Sequence, residues 1–137
     1  MTEGDLLQRI AQILREDVGP AVDADYPKTQ AFMAAVVLQK LSRQLALADE
    51  HAAADAADLT TLLADLRRLL SDGNAPAPVP AAIDSLAETR ENAALCRLIE
   101  ALYAARPVLG GTRFDALLGR IRQTLRKSID RRMAIAG

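Results

Sequence analysis

Between Ala31 and Leu38 the chain reads Ala-Phe-Met-Ala-Ala-Val-Val-Leu, eight residues apolar in every direction around a helix. A helix with no polar face has nothing to offer water, so it needs neighbours on several sides. The stretch Pro27 to Glu50 is therefore expected to be the hub of a bundle. Composition supports the helical reading: 50% of residues are hydrophobic but only 3% aromatic. Ala and Leu carry the apolar content, and both favour helices over strands.

The remaining helices follow from apolar spacing. Thr2 with Asp5 resembles a capping box, and Leu6, Leu7, Ile10, Ile13, Leu14 and Val18 predict a first helix over 3–18, stopped by Gly19 in a left-handed cap and by Pro20. Pro27 suits the first turn of the central helix. Asp55 or Asp58 is expected to cap a third helix striped by Leu59, Leu62, Leu63, Leu66, Leu69 and Leu70. Residues 74–80 hold three prolines and read as a semi-rigid extended connection inside a single domain spanning 1–137. A fourth helix is expected in two pieces, 81–88 and 90–105, with Leu95, Leu98, Ile99, Leu102 and Tyr103 inward and a break at Pro107 and Gly110-Gly111. A fifth opens on Thr112 and Asp115 and runs to about 133 on Phe114, Leu117, Leu118, Ile121, Leu125, Ile129 and Met133. The fold class is all-α, a single antiparallel helical bundle of about five helices around a central buried helix.

Charge is uneven. The chain carries a formal −1, yet residues 112–137 hold seven basic side chains against Asp115 and Asp130, a local +5. Arg120, Arg122, Arg126, Lys127 and Arg131 lie off the apolar stripe and form the candidate partner-binding set. The competing reading is a solvated face compensated by Asp49, Glu50, Asp55, Asp58 and Asp65. Nucleic acid is disfavoured, because neither stacking aromatics nor a helix-turn-helix loop accompanies the charge. The turn Gly110-Gly111-Thr112-Arg113 is a weaker candidate for holding a carboxylate or phosphate, since it lacks the Gly-Lys-Ser/Thr ending of a phosphate-binding loop.

No catalytic, cofactor or metal constellation is evident. His51 is the single histidine and reads as an exposed helix-terminal residue. Cys96 is the single cysteine and reads as a packed thiol, which excludes an intramolecular disulfide. The acidic start Met1-Thr2-Glu3-Gly4-Asp5 is unlike a signal peptide, and no apolar run approaches the roughly 20 residues of a membrane span. A cytoplasmic protein is expected, and a homodimer is compatible with this reading.

Three stretches carry a family resemblance. Leu6-Leu7 through Ile13 to Val22, then Phe32–Val36 with Leu38 and Leu41 to Leu45, then Leu117-Leu118 through Ile121, Thr124-Leu125 and Lys127 to Asp130 are similar to a bacterial family of small helical domains of unknown function. Those domains occur beside or fused to aminoglycoside-phosphotransferase-like kinases, often near acyl-CoA dehydrogenases. Val37-Leu38-Gln39 replaces that family's Asn-rich segment, and Asp130-Arg131-Arg132 its closing Asp-Asn-Pro. The resemblance implies docking on such a kinase or on an acyl-CoA pathway enzyme. With no catalytic constellation in the sequence, the expected function is a non-catalytic accessory module, with the basic last helix as charged contact and exposed parts of helices two and four as apolar contact. Two alternatives stand beside it. One is a small-molecule binder or enzyme with an inter-helix pocket where Tyr26, Arg43, Tyr103 and Gly110-Gly111 converge. The other is a weak nucleic-acid binder through the last helix.

Overall fold

A computed structural model describes residues 1–136, with side-chain surroundings through residue 134. The described residues are 88% helical without strands, an all-α helical bundle of five helices. These are α1 (Glu3–Ile13), α2 (Asp25–Leu69), α3 (Pro78–Thr89), α4 (Asn92–Leu109) and α5 (Gly111–Ala136). The chain forms two compact units, Met1–Ala52 and Ala53–Gly137, and the boundary falls within α2.

That boundary bears on the first departure from expectation. Helices two and three are one 45-residue helix. No Gly or Pro lies between Pro27 and Gly73, and Ala52, Ala53, Ala54, Ala56 and Ala57 are the strongest helix formers. The helix has no local reason to stop. Asp55 and Asp58 accordingly sit in its interior and cap nothing.

In the first unit α1 and α2 run antiparallel. The Thr2–Asp5 capping box forms as expected: Asp5 N–H donates to Thr2 Oγ1 at 3.1 Å and Thr2 N–H to Asp5 Oδ2 at 2.9 Å. The helices meet through small residues, which lets their backbones approach. Ala11 and Ala35 are fully buried, and Ser42 Oγ donates to Gly4 O at 2.6 Å. Gly19 departs from its expected role, having an ordinary right-handed φ of −54°. A π-helical turn, Leu14–Val18, and a further helical turn, Gly19–Ala21, carry the chain past it. Glycine is required for room: a Cβ there would lie 2.9 Å from Leu14 O and 3.0 Å from Phe32 Cζ.

The apolar run at 31–38 is largely open in this unit. Phe32, Met33, Val36 and Val37 are 36–57% exposed. Two helices give each other one neighbour, and an all-round apolar helix needs more.

The continuous core lies in the second unit. Leu62, Leu66, Leu86, Leu98, Leu102, Leu117 and Ile121 are at most 2% exposed, each worth about 1.5–3 kcal/mol of burial. Val79, Ile83 and Leu86 line one face of α3, and Ala94, Leu98, Leu102, Ala105 and Leu109 one face of α4. Pro78 and Pro80 fall in the first turn of α3, so the expected 74–80 connection is shorter than its prolines suggest. Likewise Pro107 lies in the last turn of α4, which continues to Leu109. Gly111 opens α5 and places Thr112 inside its first turn.

Two tight reversals make this packing possible. Arg90 closes α3 with a left-handed φ of 56°, while its guanidinium donates to Thr60 Oγ1 at 2.9 Å and Ala56 O at 3.3 Å. That side chain ties the corner to α2. Gly110, with φ 83°, turns α4 into α5 in a region only glycine adopts freely.

Gly19→Ala tests the close approach. The gain of about 0.4–1 kcal/mol from a stiffer unfolded chain is outweighed by overpacking worth about 1–3 kcal/mol. Thermal melting followed by circular dichroism should show the early, first-unit transition lowered, and an unchanged or raised transition would remove the packing argument.

Candidate interaction surfaces

The basic residues of α5 divide into two sets. Arg113, Arg120 and Arg131 meet Asp72, Asp65 and the pair Asp55/Asp58 in reverse chain order. Seven residues along α5 from Arg113 to Arg120 are answered by seven from Asp72 to Asp65, as antiparallel neighbours require. Arg120 Nε donates to Asp65 Oδ2 at 2.7 Å, with the two side chains 20% and 19% exposed. Arg131 donates to Asp55 Oδ1 at 2.5 Å and Asp58 Oδ2 at 2.6 Å, and Ser128 Oγ adds a 3.2 Å bond to Asp55. Arg132 stands 3.8 Å from Asp55.

These bonds hold the carboxylates ionised. The Arg131 hydrogen bond keeps the Asp55 carboxyl below its ordinary range, and the Arg120 bond does the same for Asp65. For Asp72 the leading cause is the Asn74 N–H, followed by Arg113. Two of the five candidate partner-binding residues, Arg120 and Arg131, are therefore spent inside the unit. Asp55, Asp58 and Asp65 compensate them as the competing sequence reading has it. Asp72 is the member that sequence reasoning missed. Its signal was the heptad interval to Asp65, repeated between Arg113 and Arg120.

Arg122, Arg126 and Lys127 are exposed and make no ion pair among the described residues. Around them lie three side chains that the sequence stripe placed inward. Leu125, Ile129 and Met133 are 37%, 54% and 68% exposed. The apolar stripe of α5 is thus buried through Ile121 and open beyond it. At about 100° per residue, Arg122, Leu125, Arg126, Ile129 and Met133 fall within one arc. The outer part of α5 presents a face that is both cationic and apolar.

The other candidates do not assemble. Arg113, in the Gly110–Arg113 turn, is taken by Asp72 and Leu69 O, so the turn lacks a free cation for an anion. Tyr26 is 75% exposed in the first unit. In the second unit Tyr103 stands edge-on to Phe114 at 5.1 Å, and Arg106 lies 4.9 Å over the same ring. Arg43 lines an open cleft of about 1010 Å³ in the first unit with Thr2, Asp5, Gln8, Lys40 and Asp49, without Tyr26. His51 lies within α2 away from its ends, half-buried, with Nδ1 unpartnered. Cys96 is exposed on α4, where the apolar stripe leaves it outside. Among the described residues no group of three or more His, Cys, Asp or Glu side chains could hold a metal ion, and no helix is long and apolar enough to cross a membrane.

The ion pairs set a pH dependence. A carboxyl whose folded pKa is depressed contributes stability above its unfolded pKa and loses it as pH falls through the folded value. Second-unit stability should stay level from about pH 7 to 5 and decline below about pH 4. Urea melts across that range check it: in Asp65→Asn the acid decline should be shallower, and an unchanged slope would mean that the Asp65 pair contributes nothing.

No protein-family model matches this chain, and no curated protein and no solved structure matches it either.

Proposed function

We propose that this protein is a non-catalytic interaction module that docks on another protein through the outer face of α5. The observation that carries the reading is the split of the α5 cations: Arg113, Arg120 and Arg131 are neutralised, whereas Arg122 and Arg126 stand unpaired beside exposed Leu125, Ile129 and Met133. Unpaired cations steer an acidic partner, and apolar side chains supply affinity once it arrives. A purely solvated face needs neither feature together. The family resemblance of the three sequence stretches makes a phosphotransferase-like kinase or an acyl-CoA pathway enzyme the expected partner.

Arg131 is a poor residue for a test, because removing it takes from Asp55 and Asp58 the guanidinium they share. Charge reversal at Arg122 and Arg126 spares that cluster. With affinity-tagged wild-type chain and a purified candidate kinase or dehydrogenase, binding measured by calorimetry should weaken with salt. It should also weaken by at least tenfold, about 1.4 kcal/mol, in the Arg122→Glu/Arg126→Glu variant. If neither enzyme class binds, or the variant binds as tightly as wild type, the docking reading fails.

A further inference from the structure

The outer face of α5 has a pattern as well as a composition. At about 100° per residue, Leu125, Ile129 and Met133 form one inclined row, and Arg122 and Arg126 form a second row beside it. All five side chains are exposed. With a rise of about 1.5 Å per residue, the two cations stand about 6 Å apart along the axis and the apolar row spans about 12 Å. Lys127 falls outside this arc. Acids bound the positive stretch at both ends: exposed Asp115 lies two turns before Arg122, and exposed Asp130 lies one turn beyond Arg126.

So short a block of charge discriminates among anionic partners. A nucleic-acid backbone carries negative charge continuously, at about one per 1.7 Å of duplex axis, and an anionic bilayer spreads it over a plane. Either one, laid along α5, meets Asp115 and Asp130 as well as the two arginines, so repulsion offsets attraction. A second copy of this face would set arginine against arginine. A protein surface with its own short block of carboxylates gains the attraction without the repulsion, and aliphatic side chains beside that block cover the apolar row.

Backbone chemistry then selects the form of the carrier. An extended segment leaves N–H and C=O groups along its edges, and the surface of a helix whose amides are bonded internally offers nothing to pair them. Laying such a segment over Leu125, Ile129 and Met133 would bury some of those groups unsatisfied, at about 1–3 kcal/mol each. A helix arrives with its backbone bonds already made. Its side chains also stand in rows one turn apart, which fit the groove between the two rows of α5.

We infer that the outer face of α5 receives a single acidic amphipathic helix of a partner protein, its carboxylates one turn apart against Arg122 and Arg126 and its aliphatic side chains over Leu125, Ile129 and Met133. This rests on docking through that face and adds the form and charge pattern of what docks.

The probe is a labelled synthetic peptide of about 18 residues, long enough to hold a helix. It is built from Ala, Leu and Glu, with a leucine row beside two glutamates spaced one turn apart. Fluorescence anisotropy with the full chain should show binding that weakens with salt. A peptide of the same composition with Glu and Leu scattered around the helix should bind at least about tenfold more weakly, and so should the patterned peptide broken by a central proline. Arg122→Glu/Arg126→Glu should lose affinity for the patterned peptide by a similar factor, with its fold checked by circular dichroism. Lysines in place of the two glutamates should restore binding to that variant. Equal binding of the patterned and scattered peptides, indifference to the proline, or failure of the lysine rescue overturns the inference. Adsorption to phosphatidylglycerol vesicles without peptide binding does so too. An enzyme held through Arg122 and Arg126 while the patterned peptide is ignored sinks the helix inference alone. The patterned peptide bound while both enzyme classes are ignored removes those enzymes as partners and leaves this inference standing.

Discussion

A helix that runs unbroken for 45 residues needs cover for its apolar side chains along its whole length, and the two parts of α2 find it to different degrees. Its first part is met by α1 through Gly4, Ala11, Ala35 and Ser42, a seam of small side chains that brings backbones close but removes little apolar area from water. Its last part offers Leu62, Leu63 and Leu66 to the leucines of α3, α4 and α5, where each buried side chain contributes about 1.5–3 kcal/mol. The two units therefore rest on different physics. The second has its own hydrophobic core, and the first relies on a tight seam whose outer surfaces are still apolar.

The ion pairs along α2 and α5 solve a separate problem. Leucines repeating at three and four residues fit a facing stripe almost as well after a shift of one heptad, so apolar packing alone leaves the register loosely set. Arg113 and Arg120 could tolerate such a shift in one direction, because Asp72, Asp65 and Asp58 follow one another at that interval. Arg131 could not. It lies eleven residues beyond Arg120 and is met by the adjacent pair Asp55 and Asp58, so sliding the helices breaks that cluster and leaves partly buried charges unpaired. Specificity of alignment is the better-supported role for these pairs than bulk stability, which ion pairs with exposed partners contribute only weakly.

The sequence made the helices legible because their signals are local. The Thr2–Asp5 box, the stripe from Leu62 to Leu66, Pro27 in a first turn and Phe114 through Ile121 each depend on residues within a few turns, and all are realised. What failed depended on partners. The expected cap at Asp55 or Asp58 fell in a run of alanines that no stripe crosses, and alanine needs no stripe to stay helical. Periodicity placed Leu125, Ile129 and Met133 inward because they continue the line of Ile121, yet a line of apolar residues states only that cover is wanted. The eight apolar residues at 31–38 stated this most strongly. Their lack of a polar face states that several neighbours are wanted, and α1 alone supplies one.

The exposed apolar side chains of the two units differ in the charge beside them. Leu6, Ile10, Ile13, Val37, Leu41 and Leu45 of the first unit are themselves uncharged, and bare apolar side chains in such number favour association. The outer face of α5 is different, because Arg122 and Arg126 keep its apolar residues hydrated and repel copies of itself. It can remain open until an oppositely charged surface arrives, and its attraction falls with salt over a Debye length of about 8–10 Å. Along α5 the division is between Arg113, Arg120 and Arg131, paired with carboxylates, and Arg122 and Arg126, left unmatched where apolar side chains emerge.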